Sequence, residues 1–402
     1  MPGPLLSIFL VILVDIFGMT LFIPLQAIYA EHFSATPAVA TLLVSLYALC
    51  QLVAGPVLGH LSDRYGRKPV LLLSQLGTLV GFVVMAKAHA LWMLFVARAI
   101  DGATAGNISI AQAYIADNTT PENRTRAFAL IGIAFGSGFV LGPVVTAQLV
   151  PYGLSAPIWA AAALSALSIV CTLVLLPGGQ KPVRHEGSDA GPGGRRPSLF
   201  AFSLYADLFS RPKLSNLLWQ FLAYVFSFSI FTSGFALFAE RRFVWHDHPF
   251  TPREIAFLFA YSGFLGLVLQ GGLIGRLVKR FGEQRLAVAG FSSLAVAYVG
   301  LAFVHDLRIL LVITTISAFG NGVSRPTLTG LISRTAQPHE QGKVLGTTQS
   351  LNSVAAIFAG LLSGPLIASG HTTLWPLASA LAALGGLWGA LSLTKWSKEK
   401  AA

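Results

Sequence analysis

The sequence predicts an all-α membrane protein with twelve transmembrane helices in two pseudo-symmetric halves of six. Three observations lead to this fold class. The 402 residues are 54% hydrophobic and only 11% charged, which is too apolar for an ordinary soluble surface. Apolar runs of about 20 residues, the length that crosses a bilayer core, recur along the chain. A polar segment near the middle divides these runs six and six.

The predicted helices are joined by short loops and carry few charges. A large soluble bundle would need a charged stripe on most helices, and a transmembrane barrel would show short alternating segments; neither pattern is present. The first run continues past Asp15 without a cleavage site, so we interpret it as a span rather than a secretory signal. The predicted helices cover residues 5–29, 38–59, 69–88, 91–116, 126–150, 155–176, 214–239, 254–278, 286–304, 308–332, 343–369 and 373–394.

Basic residues fall mostly on one side of the predicted membrane. Of the 27 lysines and arginines, 20 lie in or beside loops on the side of both termini and five in or beside loops on the other side, while Arg98 and Arg325 lie well inside helices. The positive-inside rule therefore places both termini in the cytoplasm. The net charge of +11 reflects topology and attraction to anionic lipid, and nothing else in the sequence points to nucleic acid.

The chain divides at a segment rich in glycine, proline and charge. We predict an N-terminal half over 1–176, a cytoplasmic linker over 177–213 and a C-terminal half over 214–402, with a short surface helix in `SLFAFSLYADLFS`. The halves share repeats. `GHLSDRYG` from Gly59 aligns with `GRLVKRFG` from Gly275, and `GFVLGP` aligns with `GLLSGP`. Duplicated halves are typical of secondary transporters.

Two acidic residues lie deep inside predicted helices. Asp15 and Asp101 are each ten residues from a helix start, about 15 Å into the bilayer at 1.5 Å per residue. Ionisable groups at this depth usually face a cavity and mark a pathway. Arg98 lies three residues from Asp101, on the same helix face, where it can neutralise the carboxylate. Either these groups exchange a proton, or Arg98 and Asp101 form a structural ion pair and Asp15 is simply protonated.

Other residues within helices are candidates for a substrate cavity. Neutral polar side chains inside a bilayer either bind substrate or join helices, Phe231 either lines a cavity or faces lipid, and Arg325 either contacts substrate or forms a structural contact. The candidates are Gln26, Asn107, Gln112, Gln220, Phe231, Asn321 and Arg325.

Predicted helix 5 and the turn after helix 2 carry further signals. Helix 5 contains Gly138, Gly142 and Pro143, a small-residue pattern that lets helices approach closely. In the turn `GHLSDRYGRKP`, we expect Gly59 to allow close approach of helix 2 to a neighbour and Gly66 to take the left-handed turn conformation.

The chain resembles the major facilitator superfamily, and within it the twelve-span drug:proton antiporters of the tetracycline-exporter type. The residues that carry the resemblance are `DIFGMTLFIPLQAIY` in helix 1, `GHLSDRYGRKP` after helix 2, `RAIDGATAGN` and `AYIAD` in helix 4, and `GIAFGSGFVLGP` in helix 5. The chain departs from the tetracycline exporters in lacking acidic residues inside helices 3 and 9.

The resemblance implies the major facilitator fold, with helices 1 and 4 lining a central cavity. It implies proton coupling through Asp15, Arg98 and Asp101, and a conformational role for helix 5. It also implies a cytoplasmic latch formed by Gly59, Asp63, Arg64, Gly66 and Arg67.

The function expected is proton-coupled export of amphipathic, cationic or zwitterionic compounds by alternating access; the alternative is a proton-coupled importer or facilitator of a nutrient or lipid-like solute. We expect a monomer in the bacterial inner membrane, with protons, a small-molecule substrate and membrane lipids as partners. We expect no metal and no cofactor beyond the coupling proton. No `GxxxxGK[ST]` loop or histidine metal pattern is present in the sequence, so we do not expect an enzyme.

Overall fold

The computed structural model describes residues 3–117, 121–176, 202–336, 340–370 and 372–399. The predicted fold class is confirmed: the described chain is helical apart from one short antiparallel hairpin, in which β1 (Val244–Trp245) pairs with β2 (His248–Pro249). Ten helices of the described ranges are long and apolar enough to cross a membrane, and a shorter apolar helix covers Leu6–Phe22.

The described part of the first half contains eight α-helices. They are α1 (Gly3–Phe22), α2 (Gln26–Glu31), α3 (Pro37–Tyr65), α4 (Arg67–Ala86), α5 (Leu91–Ala103), α6 (Asn107–Asp117), α7 (Pro121–Leu149) and α8 (Ala156–Leu175), with a 3₁₀ turn over Val150–Tyr152.

The described part of the second half contains eight further α-helices and a π-helical turn. They are α9 (Phe202–Ser210), α10 (Pro212–Arg242), α11 (Pro252–Val268), the π turn Leu269–Leu273, α12 (Ile274–Phe281), α13 (Glu283–Phe303), α14 (Leu307–Thr335), α15 (Gln341–Ala368) and α16 (Leu374–Glu399). Of the predicted linker, residues 177–201 lie outside the described residues, and the predicted short helix is α9.

Three predicted helices are interrupted. Predicted helix 1 breaks at residues 23–25, around Pro24, which has no N–H to donate and disfavours helix in the residue before it. Predicted helix 8 contains the π turn. Predicted helix 4 breaks between α5 and α6, where Ser74 of α4 accepts from the Gly106 N–H at 2.9 Å and donates to the Thr104 carbonyl. A neighbouring side chain thus satisfies the freed backbone groups, as a break inside a membrane requires.

The helices run antiparallel between two ends of the bundle. We call them the Gly66 end, after the turn between α3 and α4, and the Ser34 end, after the turn between α2 and α3. Gly66 has φ +98°, so it needs the conformational freedom of glycine. The close approach predicted at Gly59 is not observed in this conformation, because a Cβ there would meet nothing within 4 Å.

The two halves pack together along α3 with α15 and α7 with α11. The Thr41 hydroxyl donates to the Gly360 carbonyl at 2.7 Å, and the Ser45 hydroxyl donates to the Ile357 carbonyl at 2.7 Å. At the Ser34 end, Arg241 of α10 also forms an ion pair with Glu31 of α2 at 2.5 Å. These contacts hold the halves together at the Ser34 end.

Candidate functional site

A cavity of about 500 Å³ lies between the halves. Its polar and charged lining comes mainly from α1 to α6 of the first half, and the second half contributes neutral residues of α15. The lining includes Asp15, Phe22, Gln26, Tyr47, Gln51, Thr78, Phe82, Arg98, Asp101, Asn107, Thr347, Gln349, Ser350 and Ser353. Among the described residues, every charge that lines the cavity therefore belongs to the first half.

Asp15 of α1 is half-buried and lines the cavity. The side chains of Ser168, Gln75 and Asn107 are its hydrogen-bonding neighbours. Gln75 and Ser168 also bond to each other, with the Gln75 amide donating at 2.8 Å. The hydrogen-bonding neighbours of Asp15 are therefore polar but uncharged, and Asp101 is a charged group near enough to interact with it.

Arg98 and Asp101 form a buried ion pair on α5. Arg98 Nη2 lies 3.2 Å from Asp101 Oδ2, and each residue is only 6% exposed. The same-face placement expected from their spacing is observed; their role in proton coupling stays a prediction. Three aromatic rings surround the guanidinium, with centroids 4.9 Å (Phe22), 5.5 Å (Tyr47) and 5.9 Å (Phe82) from its Cζ. Such contacts stabilise a buried cation.

Two of the seven cavity candidates line this cavity. Gln26 and Asn107 do so, and in the part of the chain that the structure describes Gln26 Nε2 and Asn107 Oδ1 have no hydrogen-bond partner. Both atoms are therefore available to a ligand that reaches them.

Two further candidates do not line the cavity: one lies on α6 and the other on α10. Gln112 is exposed on α6, because that helix buries its opposite side, including Ile110 and Tyr114. Gln220 is buried at the α10–α16 contact, where its amide donates to Asn216 at 2.6 Å.

The remaining candidates also differ from expectation. The Phe231 ring packs among aromatic rings within the second half, 5.4 Å from that of Tyr298. Asn321 donates to the carbonyl of Ser317 one turn earlier at 3.0 Å. Arg325 is exposed on α14, with its guanidinium 5.4 Å from the Phe135 ring of the other half. None of the three lines the described cavity, which lies against α15 rather than α10 or α14.

Several lining residues were not predicted. Tyr47, Gln51 and Ser353 are neutral and lie in long apolar helices, so nothing in their spacing distinguishes them from helix-packing residues. Gln51 was detectable only as a polar side chain in the middle of an apolar run.

The predicted latch residues form a cluster within the first half. Arg67 donates to Ser62 at 2.6 Å and pairs with Asp63 at 2.5 Å and with Asp117 of α6 at 2.8 Å. The Arg64 guanidinium lies 5.3 Å from the Tyr65 ring. This cluster ties the Gly66 turn to the end of α6.

Gly138 and Gly142 of α7 face α1. A Cβ at Gly138 would lie 2.6 Å from the Ile16 side chain, and one at Gly142 would lie 2.8 Å from the Thr20 carbonyl carbon. The Thr20 hydroxyl donates to the Gly138 carbonyl at 2.8 Å. Pro143 lies within the same helix. The close approach of α7 to the helix that carries Asp15 therefore requires these glycines.

Two halves of membrane helices around a polar central cavity define the protein as an integral multi-pass membrane transporter. The chain belongs to the Major Facilitator Superfamily, which it matches over residues 8–360. It is a transporter and not an enzyme.

Relatives in the family include proteins named for drug resistance. The chain is 34% identical to the tetracycline resistance protein, class C, of Escherichia coli over 329 residues, 81% of this chain and 78% of the relative. It is 26% identical to multidrug resistance protein 2 of Bacillus subtilis over 372 residues, 90% of this chain and 88% of the relative.

Solved structures share the fold. The human organic anion transporter MFSD10 superposes with a TM-score of 0.73 at 22% identity, covering 97% of this chain and all of the other. The nucleoside transporter NupG superposes with a TM-score of 0.75 at 13% identity, covering 97% of this chain and 99% of the other.

Proposed function

We propose that the protein is a proton-coupled exporter of amphipathic cationic or zwitterionic compounds that works by alternating access. The observation that carries the proposal is the cavity between the halves, which combines Asp15, the Arg98–Asp101 pair and aromatic rings. A flat cationic compound is attracted by a carboxylate and by aromatic faces together. Relatives named for tetracycline and multidrug resistance support export of such compounds.

We assign the Gly66 end to the cytoplasm of a bacterial inner membrane, because its loops carry most of the lysines and arginines. The cross-half contacts of Thr41, Ser45 and Glu31 then close the outer side. The described conformation is accordingly the one that accepts substrate from the cytoplasm. Export requires these contacts to separate while the halves meet at the Gly66 end.

Competition between substrate and proton accounts for the exchange. Burial favours a protonated carboxyl group, and a nearby cation favours the charged form. A cationic substrate entering from the cytoplasm displaces the proton from Asp15 or Asp101. After the halves rock, a proton from the outer side, where the proton gradient raises its activity, displaces the substrate. Arg98 limits the negative charge of the empty site, because it already pairs with Asp101.

The test replaces each carboxylate by its amide. We expect Asp15→Asn and Asp101→Asn to abolish gradient-driven ethidium accumulation in inverted vesicles, and to abolish the proton release that ethidium addition causes, because neither amide exchanges a proton. Asp207→Asn is the matched control, since Asp207 lies on α9 with its side chain 55% exposed, and it should transport normally.

Protein amount and folding are checked by gel filtration in detergent. Full gradient-driven transport by both Asn variants would overturn proton coupling through these residues. Ethidium accumulation in the wild type without proton release would overturn antiport itself.

A further inference from the structure

We propose that Gln51 couples the proton site to the contact between the two halves, an inference that rests on the proposed proton-coupled transport. Gln51 lies on α3, where that helix lines the cavity and faces α15. Its side chain contacts Ser353 of the second half and Tyr47, whose ring lies over Arg98.

A continuous chain of contacts crosses the cavity. The Ser353 hydroxyl of α15 donates to Gln51 Oε1 at 3.2 Å, and Gln51 Nε2 donates to the Tyr47 hydroxyl at 3.4 Å. The Tyr47 ring centroid lies 5.5 Å from Arg98 Cζ, and Arg98 pairs with Asp101 at 3.2 Å. All five side chains line the cavity.

The link at Ser353 depends on the conformation. Ser353 is 2% exposed and belongs to the second half, and it follows the bonds of Thr41 and Ser45 along the same α3–α15 contact. When the halves separate at the Ser34 end, the bond between Ser353 and Gln51 breaks. Gln51 Oε1 then no longer accepts a hydrogen bond from Ser353. Gln51 is free to move, and its Nε2 no longer holds the Tyr47 hydroxyl in place.

The Tyr47 ring transmits this change to the proton site. While Gln51 holds it, the ring helps to keep the Arg98 guanidinium beside Asp101, which favours the charged carboxylate. Release of the ring lets Arg98 move and makes protonation of Asp101 easier. Because linkage is reciprocal, protonation of Asp101 in turn favours separation of the halves.

Two single-group deletions interrupt the chain. Ser353→Ala removes the cross-half bond, and Tyr47→Phe removes the hydroxyl but keeps the ring over Arg98. Ser45→Ala is the matched control, since it deletes another α3–α15 bond, of 2.7 Å, whose partner is the Ile357 carbonyl. If one variant fails to fold, the other still tests the proposal.

The readout is the distance between the halves as a function of pH. Spin labels are attached through the substitutions Ser34→Cys and His305→Cys in purified full-length protein whose Cys50 and Cys171 are changed to Ala. The distance between the labels reports opening of the Ser34 end. In this labelled parent we expect opening to increase as pH falls. In Ser353→Ala and Tyr47→Phe the change in the ratio of open to closed protein between the high-pH and low-pH limits should be smaller than in the parent, by a factor of about three or more. In Ser45→Ala the ratio should be multiplied by the same factor at all pH values, so that its change between the two limits equals that of the parent.

Failure of this inference is distinguishable from failure of the proposed function. A change in the open/closed ratio between high and low pH that is as large in Ser353→Ala and Tyr47→Phe as in the labelled parent, or a parent distance that does not depend on pH, would overturn coupling through Gln51 even if vesicles show ethidium-dependent proton release. A smaller change in these variants, in a protein that shows no such release, would support the coupling residue and overturn the exporter.

Discussion

Arg67 contacts two carboxylates, one from its own turn and one from a distant helix. Its partner Asp63 is 62% exposed and four residues away, whereas Asp117 is 23% exposed and 50 residues away in the sequence. An ion pair with so exposed a partner contributes only about 0.2–1 kcal/mol. The tertiary contact to Asp117 therefore stabilises the turn, and Asp63 is free to change partners.

At this scale we expect Asp63→Asn to lower transport while changing stability by less than about 1 kcal/mol, and Asp117→Asn to lower the melting temperature more. Thermal unfolding in detergent and ethidium transport in vesicles measure the two effects. If Asp63→Asn left both the turnover and the balance between the two conformations unchanged, Asp63 would only anchor topology and the latch hypothesis would fail.

Helix α7 connects the proton site to the other half. Gly142 packs on Thr20 of α1, the helix that carries Asp15, while on the other side Gly263 of α11 packs on the backbone of Phe139 and Val140. The helix therefore touches the Asp15 helix and the second half at glycines, where the helices lie close together. We expect a displacement of α11 to be passed to α1 through these contacts.

At the scale of this element we expect Gly142→Ala to destabilise the protein by about 1–3 kcal/mol, the usual cost of overpacking, and to reduce transport. The control is Gly132→Ala, because a Cβ at Gly132 meets nothing within 4 Å. Melting in detergent and vesicle transport report both quantities. Equal behaviour of the two variants would show that the α1–α7 contact has no special importance.

At the Ser34 end the two halves share a buried apolar cluster, which includes Phe22 of the first half and Phe235 and Ala359 of the second, and a few polar bonds cross the same contact. The Glu31–Arg241 pair is partly exposed, at 20% and 34% of the side-chain surfaces, and such pairs contribute about 0.2–1 kcal/mol. Contacts of this size suit a transporter, because both conformations must remain populated.

We expect Arg241→Gln to raise the population open at the Ser34 end by up to about fivefold. Val44 lines the cavity, so the rate at which an impermeant maleimide added outside cells labels the Val44→Cys variant measures this opening. Cys50 and Cys171 are replaced in the same protein. Arg253→Gln is the control, since Arg253 at the same end lies over the Phe257 ring. An unchanged labelling rate in Arg241→Gln would refute the role of the pair.

Part of the candidate site was predictable from the sequence. Asp15, Arg98 and Asp101 stand out because ionisable side chains inside apolar helices are rare and costly, and all three line the cavity. The second-half candidates are equally placed within apolar helices, but the cavity lies against α15 and not against their helices α10 and α14; they are Gln220, Phe231, Asn321 and Arg325. Which helices border a cavity depends on packing between helices, which one sequence does not contain.

The sequence by itself determined the helical membrane fold and the deep charges, because hydrophobic length and the cost of burying charge are local properties. Only the tertiary structure decided which neutral residues meet those charges. Tyr47, Gln51 and Ser353 come together from α3 and α15, about 300 residues apart in the chain. Their contact exists only because the two halves lie against each other, and it changes whenever they separate.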